Sequence, residues 1–492
     1  MEMKIKRIEA KTGNLISMLN KNDAEKIGVF SGERLEITSN NKEFITIVDI
    51  TSDNEIVSEG ELGLFEDVFE KFNIKDITSV DVEMASLPKS IKYVREKLDD
   101  KKLSEEKIFE IIESVVSHRL TDVETTYFLS GAYINGLDDE ESAYLTKAMA
   151  ETGDVLSFDG DVLDLHCVGG VPGNRTTMLV VPIIASLGYK IPKASSRAIT
   201  SPAGTADTME LLCDVTLSSD KITEIIENVN GCLVWGGGMN IAPADDYMIK
   251  LRHTLSLDPT GVMLASILAK KYAMGSNKVL LDIPIGKTAK FDKSEARKLK
   301  KRFLSLSKHL GIDMKVIITD GSQPIGNGIG VSLECRDVLW ALTNHKNAPL
   351  DLIEKSIEMS KLMLDMVGVK DSKKKVLDSL NSGKAYDKFI EMINAQGRKK
   401  KDITSIRVGK YSHKVKSKKE GKLKFVDNKF IAELSKSLGA PDDKFAGIYL
   451  RKHLGDEVKE NEVLFDIYSD SKKRLDSSKK ELGKIHDFFK VS

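Results

Sequence analysis

Residues 195–212, SSRAITSPAGTADTMELL, gather small hydroxyl residues, an arginine and a Gly-Thr pair into one turn-rich stretch. The apolar-alternating run YKIPKA (189–194) leads in and the helix-like TMELL leads out. A strand–loop–helix unit of this kind belongs to a layered α/β domain. It turns free backbone N–H groups and the positive end of a helix dipole toward whatever lies in front of it, an arrangement suited to an anion and above all to phosphate.

A second unit lies just upstream. In DLHCVGGVPGNRTTMLVVPIIASLG (164–188), Gly169, Gly170 and Gly173 allow close backbone approach. Asn174 to Thr177 then lead into a helix that stops near Gly188. The GxxxxGK[ST] spacing of a Walker A loop is missing. A lone glycine cluster is as readily a tight turn. Two such loops opening successive helices instead fit neighbouring βα units whose ligand ends converge at one edge of a sheet.

The rest of the chain divides by pattern. Residues 1–86 alternate short apolar and polar runs around turn signals, as a β-rich domain with one short helix near Lys21–Ile27. From 87 to 158 the period changes. Ile108, Ile111, Ile112, Val115 and Val116 mark one helix face, and Thr121 with Glu124 and Asp138 with Glu141 have capping-box spacing. Residues 243–275 are helical again and are assigned to the same subdomain. Residues 159–242 and 276–403 form the α/β domain: KVLLDIPIG (278–286) and MKVIITD (314–320) read as buried strands around a helix at 296–311. Residues 404–492 return to short β-runs such as FAGIYLRKHLG and EVLFDIYS, an α+β domain. The expected fold is thus multi-domain α/β: an N-terminal β-rich domain, a helical subdomain, a central α/β sheet domain and a C-terminal α+β domain.

Composition narrows the function classes. With 74 Lys+Arg against 75 Asp+Glu, the chain offers no global charge for nucleic acid or membrane. The basic runs GRKKKD (397–402) and KVKSKKEGKLK (414–424) read as solvated surface or linker. Four cysteines without a CxxC pair, and no HExxH, indicate neither a zinc site nor a disulfide framework. The N-terminal MEMKIKRIEAKTGN lacks an apolar signal core, and no run approaches transmembrane length. A reducing, cytoplasmic setting is expected.

A third dense segment is GCLVWGGGMNIAPADDYMIKLRHTLSLDPTG (231–261). His253 lies on a helix-like run and reads as surface or core. Asp258 has two open readings: the cap of a helix over 260–271, or a general acid if burial or neighbouring anions raise its pKa. Lys287 and Lys290 follow a strand at 279–285, where a lysine is either ordinary surface or a point charge for phosphate.

These blocks together resemble the thymidine and pyrimidine nucleoside phosphorylase family. SSRAITSPAGTADTMELL is similar to its signature and LHCVGGVPGNRTT to its phosphate loop; APADDYMIKLRHTLSLD…LASILAKKYAMG (242–275) and TDGSQPIGNGIGVSLE (319–334) are similar to its next two blocks, in family order. Where the pyrimidine enzymes carry a lysine and a serine beside the loop histidine, this chain has Leu165 and Cys167. That departure, and the extra domain at 1–86, which is similar to a double-psi-type β module, match the AMP phosphorylase branch. The resemblance implies phosphorolysis of AMP, with CMP and UMP as further substrates, to free base and ribose 1,5-bisphosphate in nucleotide salvage. It implies inorganic phosphate as co-substrate with no other cofactor and no metal, and a homodimer or larger assembly built through the helical subdomain. It implies a nucleotide cleft between helical and α/β domains, closing near 157–163 and 236–243. Carried over by position, the substrate contacts fall on Gly170, Ser196, Arg197, Ala198, Ile199, Thr200, Ser201, Thr205, Ser266 and Lys290, and the proton donor on Asp258. Arg175, Arg197, Lys287 and Lys290 are the candidate cations for two anions. The competing readings are a pyrimidine nucleoside phosphorylase, against which Leu165 stands, and a nucleotide-binding adaptor with an idle site.

Overall fold

The chain is described in a computed structural model over residues 1–39, 42–74, 78–198, 201–253, 257, 259–403, 405–482 and 488–492. Three of the expected site residues, Ile199, Thr200 and Asp258, lie outside the described residues. Two units form, Met1–Thr152 with Ala244–Met263, and Gly153–Pro243 with Leu264–Ser492.

In the first unit, β1 (Glu2–Ile8), β2 (Ile16–Asn20), β3 (Arg34–Ser39), β4 (Lys42–Thr51), β5 (Glu61–Phe65) and β6 (Ser79–Met84) close a barrel in the order β1-β5-β2-β4-β3-β6. β1 runs parallel to β5 and β2 parallel to β4. Alternate residues such as Leu35 and Ile37 point inward and are fully buried. The expected short helix is α1 (Lys21–Ile27): Asn20 accepts from the Asn22 N–H at its start, and Gly28 at φ 83° ends it. A second short helix, α2 (Glu66–Phe72), follows β5.

Four helices come next, α3 (Ser90–Leu98), α4 (Glu105–Val116), α5 (Asp122–Ile134) and α6 (Asp139–Glu151). Ile108, Ile111, Ile112 and Val115 of α4 are fully buried, as their spacing requires. Both expected capping boxes are present, Thr121 with Glu124 and Asp138 with Glu141. A buried pair joins α3 to α6: Lys97 Nζ lies 3.0 Å from Glu141 Oε1, which also accepts the Leu103 N–H at 3.0 Å.

The second unit is built on parallel strands. In chain order come β7 (Leu163–Cys167), α7 (Thr176–Ser186), β8 (Ile191–Ser195), α8 (Thr205–Met209), α9 (Ser219–Val229), β9 (Gly231–Trp235), α10 (Pro243–His253), α11 (Thr260–Ala273), β10 (Lys278–Ile285), α12 (Lys293–His309) and β11 (Asp313–Asp320). From Ala244 onward α10 falls within the first unit. β11, β10 and β7 pair in parallel, as do β8 and β9. A parallel bridge between Val162 and Lys190 joins the two sets, giving the spatial order β11-β10-β7-β8-β9. The chain therefore winds outward from β7 to β9 and returns to the other side of β7 with β10. The switch point of this sheet lies between β7 and β10, where open α/β sheets bind ligands.

Helices α13 (Val331–Leu342), α14 (Leu350–Met366), α15 (Ser372–Asn381) and α16 (Lys384–Ala395) complete this domain, and Leu352, Met359, Met363, Phe389 and Met392 join its core around α7. The helix α11 is divided: it belongs to the first unit up to Met263 and to the second from Leu264. The expected helical segment 243–275 thus changes allegiance partway. The reason lies in Lys271, which is buried against Asp164 of β7 at 2.5 Å and anchors the later turns to the sheet.

At the C-terminus, the strands Tyr411–Lys416, Gly447–Leu450 and Val463–Ser469 form one antiparallel sheet that also takes up Gly328–Ile329 from the α/β domain. The basic run 414–424 is more than a linker, because Lys414 and Lys416 lie on one strand of this domain and Lys422 and Lys424 on the next, Gly421–Val426. All four lysines are exposed.

Candidate active site

The loop after β7 meets the turn after β10 at the switch point. Gly170 adopts φ 88°, and a Cβ there would fall 2.7 Å from the Lys290 N and 2.9 Å from its Cβ. Only glycine lets these two backbones touch. The register sets the geometry: Cys167, the last residue of β7, pairs with Asp282, and β10 runs three residues further to Ile285, so the loop after β7 passes alongside the end of β10 and reaches the turn that follows it. Among the described residues the Gly170 N–H finds no acceptor. It remains able to meet an anion.

Leu165, the residue that departs from the lysine of the resembled pattern, lies in the apolar core with Leu163. On the opposite face of β7, Asp164 and His166 follow each other. Asp164 is fully buried and carries two lysines, Lys271 at 2.5 Å and Lys193 at 3.2 Å, themselves buried. Burial pushes the Lys271 ammonium down, and Asp164 pulls it back. One step toward the ligand end, burial followed by the ammonium groups of Lys271, Lys193, Lys270 and Lys290 holds the His166 imidazole well below its ordinary pKa. His166 is therefore neutral at pH 7. The four lysines around this imidazole outnumber Asp164, the carboxylate that pairs with Lys193 and Lys271, which leaves this corner of the sheet net positive, as an anion site needs. Sequence reading named Lys290 among them and missed Lys193, Lys270 and Lys271; the apolar setting of Lys193 inside a strand was the available signal.

Ser266 and Lys270 lie four residues apart on α11, hence on one face. The Lys270 stem runs beside Gly236 at the end of β9, with its Cδ 3.8 Å from where a Cβ would stand. Cys167 accepts from Asn174 Nδ2 at 3.3 Å. Burial, and then the Asp282 carboxylate, push its thiol up to about 12, so it remains protonated. The same Asn174 accepts from the Thr176 hydroxyl at 2.7 Å, which fixes the exit of the glycine loop into α7.

Two arginines are placed otherwise than expected. Arg175 was a candidate cation for the ligand. It is buried, its Nε is 2.5 Å from Glu334 of α13, and its guanidinium donates to the carbonyls of Asn174 and Ala203. It ties the two predicted loops to each other. Arg197 is likewise committed, donating to Glu210 at 2.7 and 2.8 Å and to Asp207 at 3.2 Å, over the Trp235 ring at 4.5 Å. Its hydrogen bonds hold the Glu210 carboxyl down at about 2. These carboxylates offset the charge of the Arg197 guanidinium and fix its orientation.

The 195–212 stretch differs from expectation in a second way. Its helix, α8, is only five residues long. Asp207 closes the loop on itself by accepting the N–H groups of Ala198 at 2.7 Å and Gly204 at 3.0 Å. The Ser201 hydroxyl donates to the Ala203 carbonyl at 2.9 Å. Ala198 and Ser201 thus spend these groups internally, whereas Ser196 is exposed and Thr205 half-buried at the helix start. Lys290 is exposed, and its Nζ lies 5.4 Å from the centre of the Phe291 ring. Lys287 is drawn aside, over the Phe425 ring at 5.2 Å.

Comparison with known proteins follows the same order of domains. Residues 91–153 match the helical bundle domain of a glycosyl transferase family, 159–386 match its a/b domain, and 422–487 match the pyrimidine nucleoside phosphorylase C-terminal domain. The chain is 42% identical over 480 residues to the AMP phosphorylase of Methanocaldococcus jannaschii, covering 97% of this chain and 95% of the relative. It belongs to the AMP phosphorylase family. The AMP phosphorylase of Thermococcus kodakarensis is also 42% identical, over 484 residues and the same shares of each chain. A solved anthranilate phosphoribosyltransferase from Thermus thermophilus shares the fold with a TM-score of 0.52 at 18% identity, over 62% of this chain and 98% of that one. Family membership spans the barrel as well as the three matched domains, since the relatives align along nearly the whole length.

Proposed function

We propose that the chain catalyses phosphorolysis of AMP by inorganic phosphate, releasing adenine and ribose 1,5-bisphosphate. The observation that carries this is the meeting of Gly170 with Lys290 at the switch point, beside the lysine-ringed His166, in a chain alignable end to end with relatives named AMP phosphorylase. A reaction between two phosphorylated species needs more positive charge than a nucleoside site. Lys290 beside the glycine loop, with Lys270 behind it, supplies it where Leu165 withholds it, while Asp164 holds Lys193 and Lys271.

In this reading a phosphate oxygen attacks C1′ as the C1′–N bond breaks, through an oxocarbenium-like state. The bonding pair passes to the base, and Asp258 delivers a proton to a purine nitrogen. Backbone N–H groups of the glycine loop hold the attacking phosphate, with Lys290 as a point charge beside it. Ser196, Thr205 and Ser266 are the remaining hydroxyl contacts. The reaction uses phosphate as its second substrate and assigns no step to a metal or organic cofactor. CMP and UMP are further substrates. The four unpaired thiols support a reducing, cytoplasmic setting. Among the described residues no helix is long and apolar enough to cross a membrane. A substrate panel tests the reading: turnover of AMP faster than of thymidine or uridine supports it, and the reverse order establishes a nucleoside phosphorylase instead.

The protein acts as a homodimer or larger assembly in this proposal. Helix α5 leaves Val123, Tyr127 and Ile134 exposed at 64%, 54% and 74%, along one stripe of its surface. A monomer has no use for such a stripe, and a second copy would cover it. Tyr127→Glu with Ile134→Glu is expected to shift the sedimenting mass of the assembly down toward smaller species. Unchanged mass would place the interface elsewhere.

A further inference from the structure

Behind the glycine-rich loop lies a second loop, residues 321–330, and the two are in contact. The Ile325 N–H donates to the Pro172 carbonyl at 3.1 Å. Gly173, at φ 76°, approaches so closely that a Cβ would stand 2.3 Å from the Ile325 O and 3.1 Å from the Gly328 O. The course of residues 172–173 is therefore set by residues 325–328.

Those residues are in turn held by carboxylates. Three successive N–H groups donate to two side chains: Gly326 to Asp351 Oδ2 at 2.9 Å, and Asn327 and Gly328 to Asp337 Oδ2 at 2.7 and 2.6 Å. Asp337 sits on α13, 1% exposed, and its Oδ1 has no hydrogen-bond partner among the described residues. The groups facing it are Arg336 on its own helix, Asp351 on α14 and Tyr449 on the strand Gly447–Leu450. Arg336 spreads over the Trp340 and Tyr449 rings. Asn327 reaches across to the C-terminal domain, where His453 Nε2 lies 2.8 Å from its Oδ1. Burial outweighs the two N–H donors and pushes the Asp337 carboxyl up to about 7. Its folded value lies above the unfolded one of roughly 4, so this group's contribution to stability falls as pH rises between the two. The charge costs the fold stability, and the charge-assisted hydrogen bonds it makes are stronger than neutral ones.

We propose that Asp337 is a positioning residue for phosphate: by gripping the N–H groups of Asn327 and Gly328 it fixes the 325–328 loop, and through it the glycine-rich loop that holds the anion. This rests on reading 168–173 as the phosphate loop. The full-length protein and its Asp337→Asn variant, in which the neutral amide imitates the protonated acid, are titrated with inorganic phosphate by calorimetry at pH 5.5 and 8.5. The variant's Kd for phosphate is expected to exceed that of the unmodified protein about tenfold at pH 8.5, and to match it at pH 5.5, where the native carboxyl is protonated too. Phosphate's own ionisation cancels in the ratio. Thermal midpoints of the two proteins at pH 8.5 are expected to agree or to favour the variant, which sheds a buried charge. A ratio of one at both pH values, or an equal loss at both, overturns the proposal, as does absence of phosphate binding by the unmodified protein. Phosphate binding with the expected ratio but no turnover of AMP would overturn the proposed reaction and leave the role of Asp337 standing.

Discussion

Asp258→Asn is expected to lower the rate of AMP phosphorolysis by roughly 10²–10⁴-fold while leaving phosphate affinity unchanged. The substitution keeps size and polarity and removes only the transferable proton. Adenine leaves poorly as an anion, so the barrier rises by what the acid supplied. An AMP analogue methylated at N7 carries a base that is already cationic and departs as a neutral molecule. Its turnover should fall far less in the variant than that of AMP. Equal losses on both substrates would show that Asp258 holds something in place and that the proton comes from elsewhere. Steady-state kinetics on the two substrates decide it.

Glu334→Ala is expected to destabilise the α/β domain by about 3–5 kcal/mol. Glu334 is 1% exposed and lies 2.5 Å from the Arg175 Nε, and it also accepts the Gly330 N–H at 2.9 Å. Burial raises its carboxyl pKa, and Arg175 opposes that shift. Removing the carboxylate strands a buried guanidinium with only the Asn174 and Ala203 carbonyls. A double change, Arg175→Met with Glu334→Leu, should recover much of the stability, because an apolar pair of similar volume pays no desolvation cost. It should not recover phosphate affinity, because Arg175 is what joins the glycine loop to the 196–204 loop. Chemical denaturation of the three variants, beside phosphate titration of the double variant, tests both halves. A Glu334→Ala protein as stable as the native one would mean that water takes over the guanidinium.

The contrast between these residues shows what a sequence carries locally and what it does not. The capping boxes at Thr121 and Asp138, the buried face of α4 and the helix ending near Gly311 follow from rules that act over three or four residues, and they form as their spacing demands. The glycine loop after β7 was equally legible, since Gly170 and Gly173 both take left-handed backbone that other residues resist. The arginines were not. Whether a cation faces a ligand or the protein depends on carboxylates far away in the chain, and nothing around Arg175 announces Glu334. Arg197 had its partner nearer, at Glu210, but an acidic residue after a glycine loop reads as helix surface until the loop's folding back is known. Asp337 was hidden for another reason: it stands among apolar residues on α13, and only the three-dimensional course of 325–328 gives its carboxylate an office. Helices α14 to α16 also escaped notice, although Leu352, Met359 and Met363 keep helical spacing, because the phosphate-loop motifs all lie upstream of them.

The central claim is that the lysine-ringed corner at the β7–β10 switch point serves phosphorolysis of a nucleoside monophosphate. The direct measurement is release of free adenine from AMP by the purified protein as a function of inorganic phosphate. Release is expected to depend saturably on phosphate, with one ribose 1,5-bisphosphate formed for each adenine, and to cease when phosphate is withheld. Adenine released at the same rate without phosphate, or no release at any phosphate concentration, would contradict it.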